Sequence, residues 1–378
     1  MLQMNRYLTT GLVTMMFSSI FQYSWNAFEL TLPIISGMNQ YNLSLIFTLF
    51  IIVSSVSQIL SGYLADSINP RIVYVFSLVL ASLGLILSSF SKNVAEFAAF
   101  WIIGSIGEGS LYGISVNLAL KWNEKNRGFS AGFVGMGFGI GAVFANPFIF
   151  LFRNFRMPML LLGIAMMIAL AALSRFVEYP RTAGGRSPMQ VIREPRWWLV
   201  FTSYSFAGSP LQLFSFFLLF LSVRFGISYL VLVTIIFPLI SGVGRPVIGR
   251  ISDRIGRTDT ILFIVSAILV GSILAAMRTE ISILLAAVLI SLFGGSLFTL
   301  YSSYVSDLYG SKYSTSNNGI LYSGKAVAGI TGVFIFTLLD QVYGITPAMT
   351  FVVFLVLVSI LSFAAASIGR VRGGRAVI

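Results

Sequence analysis

Apolar runs of about 20 residues, separated by short clusters of Gly, Pro, Asn and charge, recur along the whole chain and leave little from which a water-soluble domain could form. Such a run crosses a bilayer as a helix, because hydrocarbon offers backbone N–H and C=O groups no outside partner. The pattern predicts helices over 7–32, 43–65, 70–90, 94–120, 128–151 and 157–177. A second six follow over 196–223, 229–251, 259–277, 282–308, 314–338 and 346–368. The longest polar stretch, EYPRTAGGRSPMQVIREP, falls between the two sets. The expected architecture is all-α and integral to the membrane, with 12 transmembrane helices in two pseudo-symmetric six-helix halves. The halves are placed at 1–177 and 196–378, with a linker at 178–195. The run beginning at Tyr7 imitates a signal peptide, but no small-residue cleavage pattern follows, so it is read as a retained first span.

Composition agrees, since only 10% of residues are charged where a soluble domain carries about 25%. The chain has neither cysteine nor histidine. Disulfides, thiolate or imidazole metal sites and nucleophilic catalysis through Cys/His or Ser/His/Asp are thereby excluded, and neither an enzyme nor a bound cofactor is expected. The net charge of +12 is explained by topology rather than by nucleic acid. With the N-terminus inside, 17 Lys and Arg residues fall in cytoplasmic positions and 5 in external loops. That bias predicts cytoplasmic termini in the plasma membrane.

The two remaining cations lie within spans. Arg245 follows TIIFPLI and precedes PVIG, and Lys325 sits about eleven residues from either end of its span, roughly 16 Å at the helical rise. A charge at that depth costs a few kcal/mol and marks a functional site by default. Glu108, central in span four, is the acid available to balance them. Two cations and one carboxylate leave a charge of about +1, which an anionic substrate can neutralise. A neighbouring cation favours ionised Glu108 and desolvation favours its protonated form, so its charge can follow occupancy and couple transport to protons.

The segment GYLADSINPR at 62–71 recurs as GRISDRIGRT at 249–258, an offset of 187, each ending the second span of its half. A weaker echo pairs Arg127-Gly128 with Asn318-Gly319. Repeated halves imply a transporter with its site at the midplane. Polar residues at helical spacing favour Gln22, Trp25 and Tyr112 as pocket wall, whereas Glu29 is expected near the outer surface. Alternate glycines at Gly135, Gly137, Gly139 and Gly141 lack a preceding strand and a following Lys-Ser/Thr, so they read as close helix packing that ends in a kink at Pro147.

The pattern G-x-x-x-D-R-x-G-R, complete at Gly249, Asp253, Arg254, Gly256 and Arg257, resembles the loop signature of the major facilitator superfamily. The first-half copy keeps Gly62, Asp66 and Arg71 but has Ser67 and Asn69 in place of Arg and Gly. The resemblance implies the major facilitator fold and a gate of breakable ion contacts at these eight residues. QYSW at 22–25, LYG at 111–113, RGFSAGFVGMGFGIG at 127–141, GRP at 244–246 and NNGILYSGKA at 317–326 further resemble the oxalate:formate antiporter family. That resemblance makes Arg245 and Lys325 the expected carboxylate-binding cations, while Phe138 and Leu297 depart from the oxalate-type pocket. The expected protein is a monomeric secondary transporter of small organic anions, by exchange or with protons. A proton-coupled efflux pump, which would want buried acids rather than bases, and a non-transporting membrane sensor are the alternatives.

Overall fold

The computed structural model describes residues 2–181, 184–225 and 232–372. Ten of the described helices are long and apolar enough to cross a membrane. With Leu2–Gln22, extended by Trp25–Glu29, and with Pro195–Phe225 they give the twelve-span order. Spans two to six are Gln40–Ser67, Pro70–Ser88, Val94–Trp122, Arg127–Phe150 and Arg156–Leu173. Span eight is Phe237–Ile255, entered through a π-helical turn at Leu232–Ile236, and span nine is Arg257–Met277. Spans ten to twelve are Glu280–Tyr309, Ser314–Tyr343 and Ile345–Arg372.

Local chemistry sets where these helices begin and end. Asn39, Asn69 and Asn93 cap spans two, three and four, each side chain accepting a first-turn N–H at 2.9 Å. In the second half Gly256, Gly310 and Gly344 take φ values of +104°, +84° and +85°, a left-handed turn that stops spans eight, ten and eleven. The repeated segment at 249–258, expected as a loop signature, is therefore mostly the last two turns of span eight, with Gly256 as its corner. Span one breaks after Gln22, whereas span five runs through Pro147 to Phe150, close to its expected end at 151. In span eight Pro246, beside Arg245, has no N–H to give the preceding turn. Spans ten and eleven each contain a π turn, at Ile290–Gly294 and Ile330–Ile335, where register shifts by one residue.

Glycines fuse the spans along two seams. On span five, added Cβ atoms at Gly128, Gly132 and Gly139 would lie 2.4, 2.3 and 2.2 Å from the carbonyl oxygens of Gly249, Arg245 and Pro238 on span eight. The opposite face of span five meets span one, where Cβ atoms at Gly137 and Gly141 would lie 2.2 and 2.0 Å from the Leu12 and Met16 oxygens. Spans two and eleven form the second seam through Gly62 on the Thr315 carbonyl and Gly319 on the Gln58 carbonyl. Backbone contact this close substitutes van der Waals packing for the hydrophobic drive that lipid cannot supply between helices.

Gly139→Ala is expected to force spans five and eight apart, costing about 1–3 kcal/mol as overpacking does and lowering the thermal midpoint of the purified protein. Gly113→Ala, whose added methyl would meet only the flexible Gln58 side chain, should shift it much less; equal shifts would refute the seam.

Candidate functional site

Arg245, Lys325 and Glu108 are buried at 2%, 1% and 0% exposure. Arg245 on span eight donates from Nη1 to the Gly135 carbonyl across the first seam at 2.9 Å and from Nε to the Ser241 carbonyl at 3.3 Å. Gly135 has no side chain to fill this space; a Cβ there would lie 3.1 Å from Arg245 Cδ. Lys325 on span eleven donates to the Tyr322 hydroxyl, one turn back, at 3.0 Å. Its Nζ lies 5.1–5.9 Å from the ring centres of Tyr322, Phe138, Phe50 and Tyr112, within cation–π reach. Phe138 also lies 5.5 Å from Arg245 Cζ. The two cationic centres are thus no further apart than about 11 Å, the sum of their distances to this shared ring.

Among the described residues neither cation has a carboxylate within 4.0 Å. Glu108 Oε2 instead accepts from Ser54 Oγ at 2.5 Å, and Oε1 has no hydrogen-bond partner. The Lys325–Glu108 ion pair that would make this cluster merely structural is not formed. Both cations are held by neutral oxygens and π faces, which leaves their charge for a further anion.

Tyr112 belongs to this set, with its ring centre 4.6 Å from Tyr322 and 5.4 Å from Phe138. Gln22 pairs across the halves with Gln212 at 3.2 Å and Ser215 at 3.4 Å. Trp25 packs on Phe47 and Trp101 inside the first half, apart from the lysine's rings. Glu29, expected at a wet surface, is 7% exposed. The serines of spans seven and ten mostly bond their own helix, as Ser205, Ser303 and Ser306 do to carbonyls four residues back. Tyr23, Phe50, Ser54 and Tyr322 were not singled out by sequence. Tyr322 and Tyr23 carried a signal, the first one turn from Lys325 and the second beside Gln22, with its hydroxyl 2.8 Å from Ser241. Phe50, in an apolar run, carried none.

At the end of the bundle that bears the repeated segments, each aspartate caps a helix of the opposite half. Asp253 accepts the N–H groups of Gly128 and Phe129 at the start of span five, at 3.0 and 2.8 Å. Asp66 accepts the N–H and hydroxyl of Ser316 at the start of span eleven, both at 2.8 Å. The contacts obey the offset of 187, since Asp66 and Phe129 map onto Asp253 and Ser316. The structural partner of Gly128 is therefore Thr315, one turn before the Asn318-Gly319 echo. A carboxylate at a helix N-terminus meets free N–H groups and the positive end of the dipole.

Cations complete the clamp, but not all the expected ones. Arg257 bridges Asp253 at 2.5 Å and Asp307 at 2.9 Å. Lys121 reaches Asp66 at 3.0 Å and Arg127 reaches Asp307 at 2.7 Å. Arg254 and Arg71 are exposed and make no ion pair among the described residues. Lys121 and Asp307 were missed because they lie far from the repeat in sequence, and Arg127 stood out only in the weaker echo, not as a cation of the gate.

The Major Facilitator Superfamily family model matches residues 7–333 and 232–376. An uncharacterized 38 kDa protein in the 23S RNA operon of Thermoproteus tenax is 36% identical over 326 residues, 86% of each chain. The oxalate:formate antiporter of Oxalobacter formigenes is 26% identical over 352 residues, covering 86% of this chain and 82% of the antiporter. Among solved structures, the human organic anion transporter MFSD10 superposes with a TM-score of 0.72 at 16% identity, over 95% of this chain and 99% of that one. The Escherichia coli fucose:proton symporter FucP also gives 0.72, at 14% identity, over 96% and 98%. With the family model across nearly the whole sequence and the twelve-span fold beneath it, the chain belongs to the major facilitator superfamily.

Proposed function

We propose that this protein is a secondary transporter of small organic anions, carboxylates of the formate, lactate or oxalate type, that works by alternating access. The observation that carries this reading is the burial of Arg245 and Lys325 within about 11 Å of each other, each hydrogen-bonded only to neutral acceptors among the described residues. A planar guanidinium fork and a point-charge ammonium suit one carboxylate each, or a single carboxylate between them. The relative that exchanges oxalate for formate by name points to the same substrate class. Phe138 keeps the ring of the oxalate-type pattern without a hydroxyl, which favours a substrate less polar than oxalate. An efflux pump for cations is disfavoured, because among the described residues near these cations Glu108 is the single acid.

In this reading the halves 1–177 and 196–378 rock about the two glycine seams while 178–195 links them. The clamp of Asp66 and Asp253 with Lys121, Arg127, Arg257 and Asp307 then closes the cytoplasmic end, as the positive-inside bias orients it. Gln22 with Gln212 and Asn26 with the Ser215 carbonyl, 2.7 Å apart, close the other end. The protein acts as a monomer in the plasma membrane, exchanging anions or moving them with protons.

Reconstituted protein should take up labelled lactate, formate, acetate or oxalate, driven by internal anion or by a pH gradient. Arg245→Gln and Lys325→Gln should each reduce that flux by about 100-fold, as expected when one partner of a buried charge contact costs 2–5 kcal/mol. Intact flux in both variants would overturn the site. The transported anion at about 100 times its Kd should also stabilise the wild type by about 2.7 kcal/mol, read as a rise in thermal midpoint. Arg245→Gln should show no rise at the same concentration.

A further inference from the structure

Glu108 is fully buried, is held at one oxygen by Ser54 of span two, and has no partner at the other. The lysine that its charge would balance sits on span eleven, in the opposite half, and is tethered to Tyr322 instead. A merely structural acid would close on that lysine. Glu108 lies one turn from Tyr112 and bonds Ser54, one turn from Phe50, and both of those rings lie within 6 Å of the lysine Nζ. An acid placed near the lysine in this way, without closing on it, can alternate between two roles.

Resting on the carboxylate reading above, we propose that Glu108 is a proton-binding site that stands in for the substrate, making this a proton-coupled monocarboxylate carrier able to return empty. With no substrate bound, ionised Glu108 balances Lys325. When a monocarboxylate takes the lysine, Glu108 binds one proton from the side to which the site is open, forming its carboxylic acid. Release reverses both steps: the anion leaves, the Glu108 O–H bond breaks and the proton follows to the same side. One anion and one proton cross together, with no other reactant.

The charge count makes the two forms equivalent. Arg245 and Lys325 with ionised Glu108 carry +1. The same cations with a bound monoanion and neutral Glu108 also carry +1. Neither form moves through the low-dielectric interior with more buried charge than the other, so both can switch access. A dianion would upset this equality, which is why a monocarboxylate is inferred.

The other groups around Glu108 leave it this role. Tyr112 on its own span and Tyr322 on span eleven are phenols, neutral at physiological pH. Tyr74 on span three is turned to Thr14 at 2.7 Å, and Tyr23 on span one to Ser241. Span two offers Ser54 and Gln58, and span five the Phe138 ring and glycines, none of which titrates. Arg245 on span eight stays charged.

Glu108→Gln in liposomes separates the roles. The substitution fixes the neutral form, so the loaded carrier keeps +1 while the empty carrier becomes +2. Proton-driven net uptake of labelled lactate, and efflux into lactate-free buffer, should fall by about 100-fold, the penalty for an unbalanced buried charge. Lactate–lactate exchange should remain within about threefold of wild type and lose its pH dependence. Retained proton-driven uptake would overturn the proposal. So would loss of exchange together with net flux in a variant with wild-type thermal midpoint, because that marks a structural acid. No flux of any carboxylate in wild type would instead overturn the underlying anion reading, and this proposal with it.

Discussion

A guanidinium and an ammonium cannot rest in a bilayer unless the protein itself replaces their hydration, and the centre of this molecule is built around that requirement. Arg245 is supplied with carbonyls from its own span and from span five, and Lys325 with a hydroxyl and four ring faces. None of these donates a full negative charge. The cations are solvated enough to be buried and not enough to be neutralised.

The same constraint explains why glycine matters so much here. For Arg245 to reach the Gly135 carbonyl, span five must lie against span eight with backbone touching backbone. Side chains larger than hydrogen at Gly132 or Gly139 would lift the helix away, and the arginine would lose an acceptor. The seam thus serves packing and electrostatics together. At one end of it Asp253 caps span five through Gly128 and Phe129, so the site and the clamp share two rigid helices.

Much of this was legible in the residues. Hydrophobic runs placed the helices to within a few residues, because hydrocarbon permits so few alternatives for a backbone. Arg245, Lys325 and Glu108 stood out since a charge in an apolar run needs a reason, and the repeat exposed Asp66 and Asp253. Other residues lie elsewhere than the sequence suggested, for physical reasons. Trp25 shares a helical stripe with Gln22, yet the helix breaks between them and turns the indole into the first half. Arg254 and Arg71 lie inside the repeated segments but face solvent, whereas Lys121 and Asp307, from other spans, carry the ion contacts.

The sequence by itself determined that the chain spans a membrane in two related halves and that two cations and one acid must be buried, because polarity and periodicity are local properties of a chain in lipid. Which groups meet was decided only by tertiary structure. Phe138 between the cations, Ser54 on Glu108, and Asp66 and Asp253 on helix starts some 125 or 250 residues away depend on how the halves pack. That packing follows from close approach at a few glycines, whose neighbours no local pattern names.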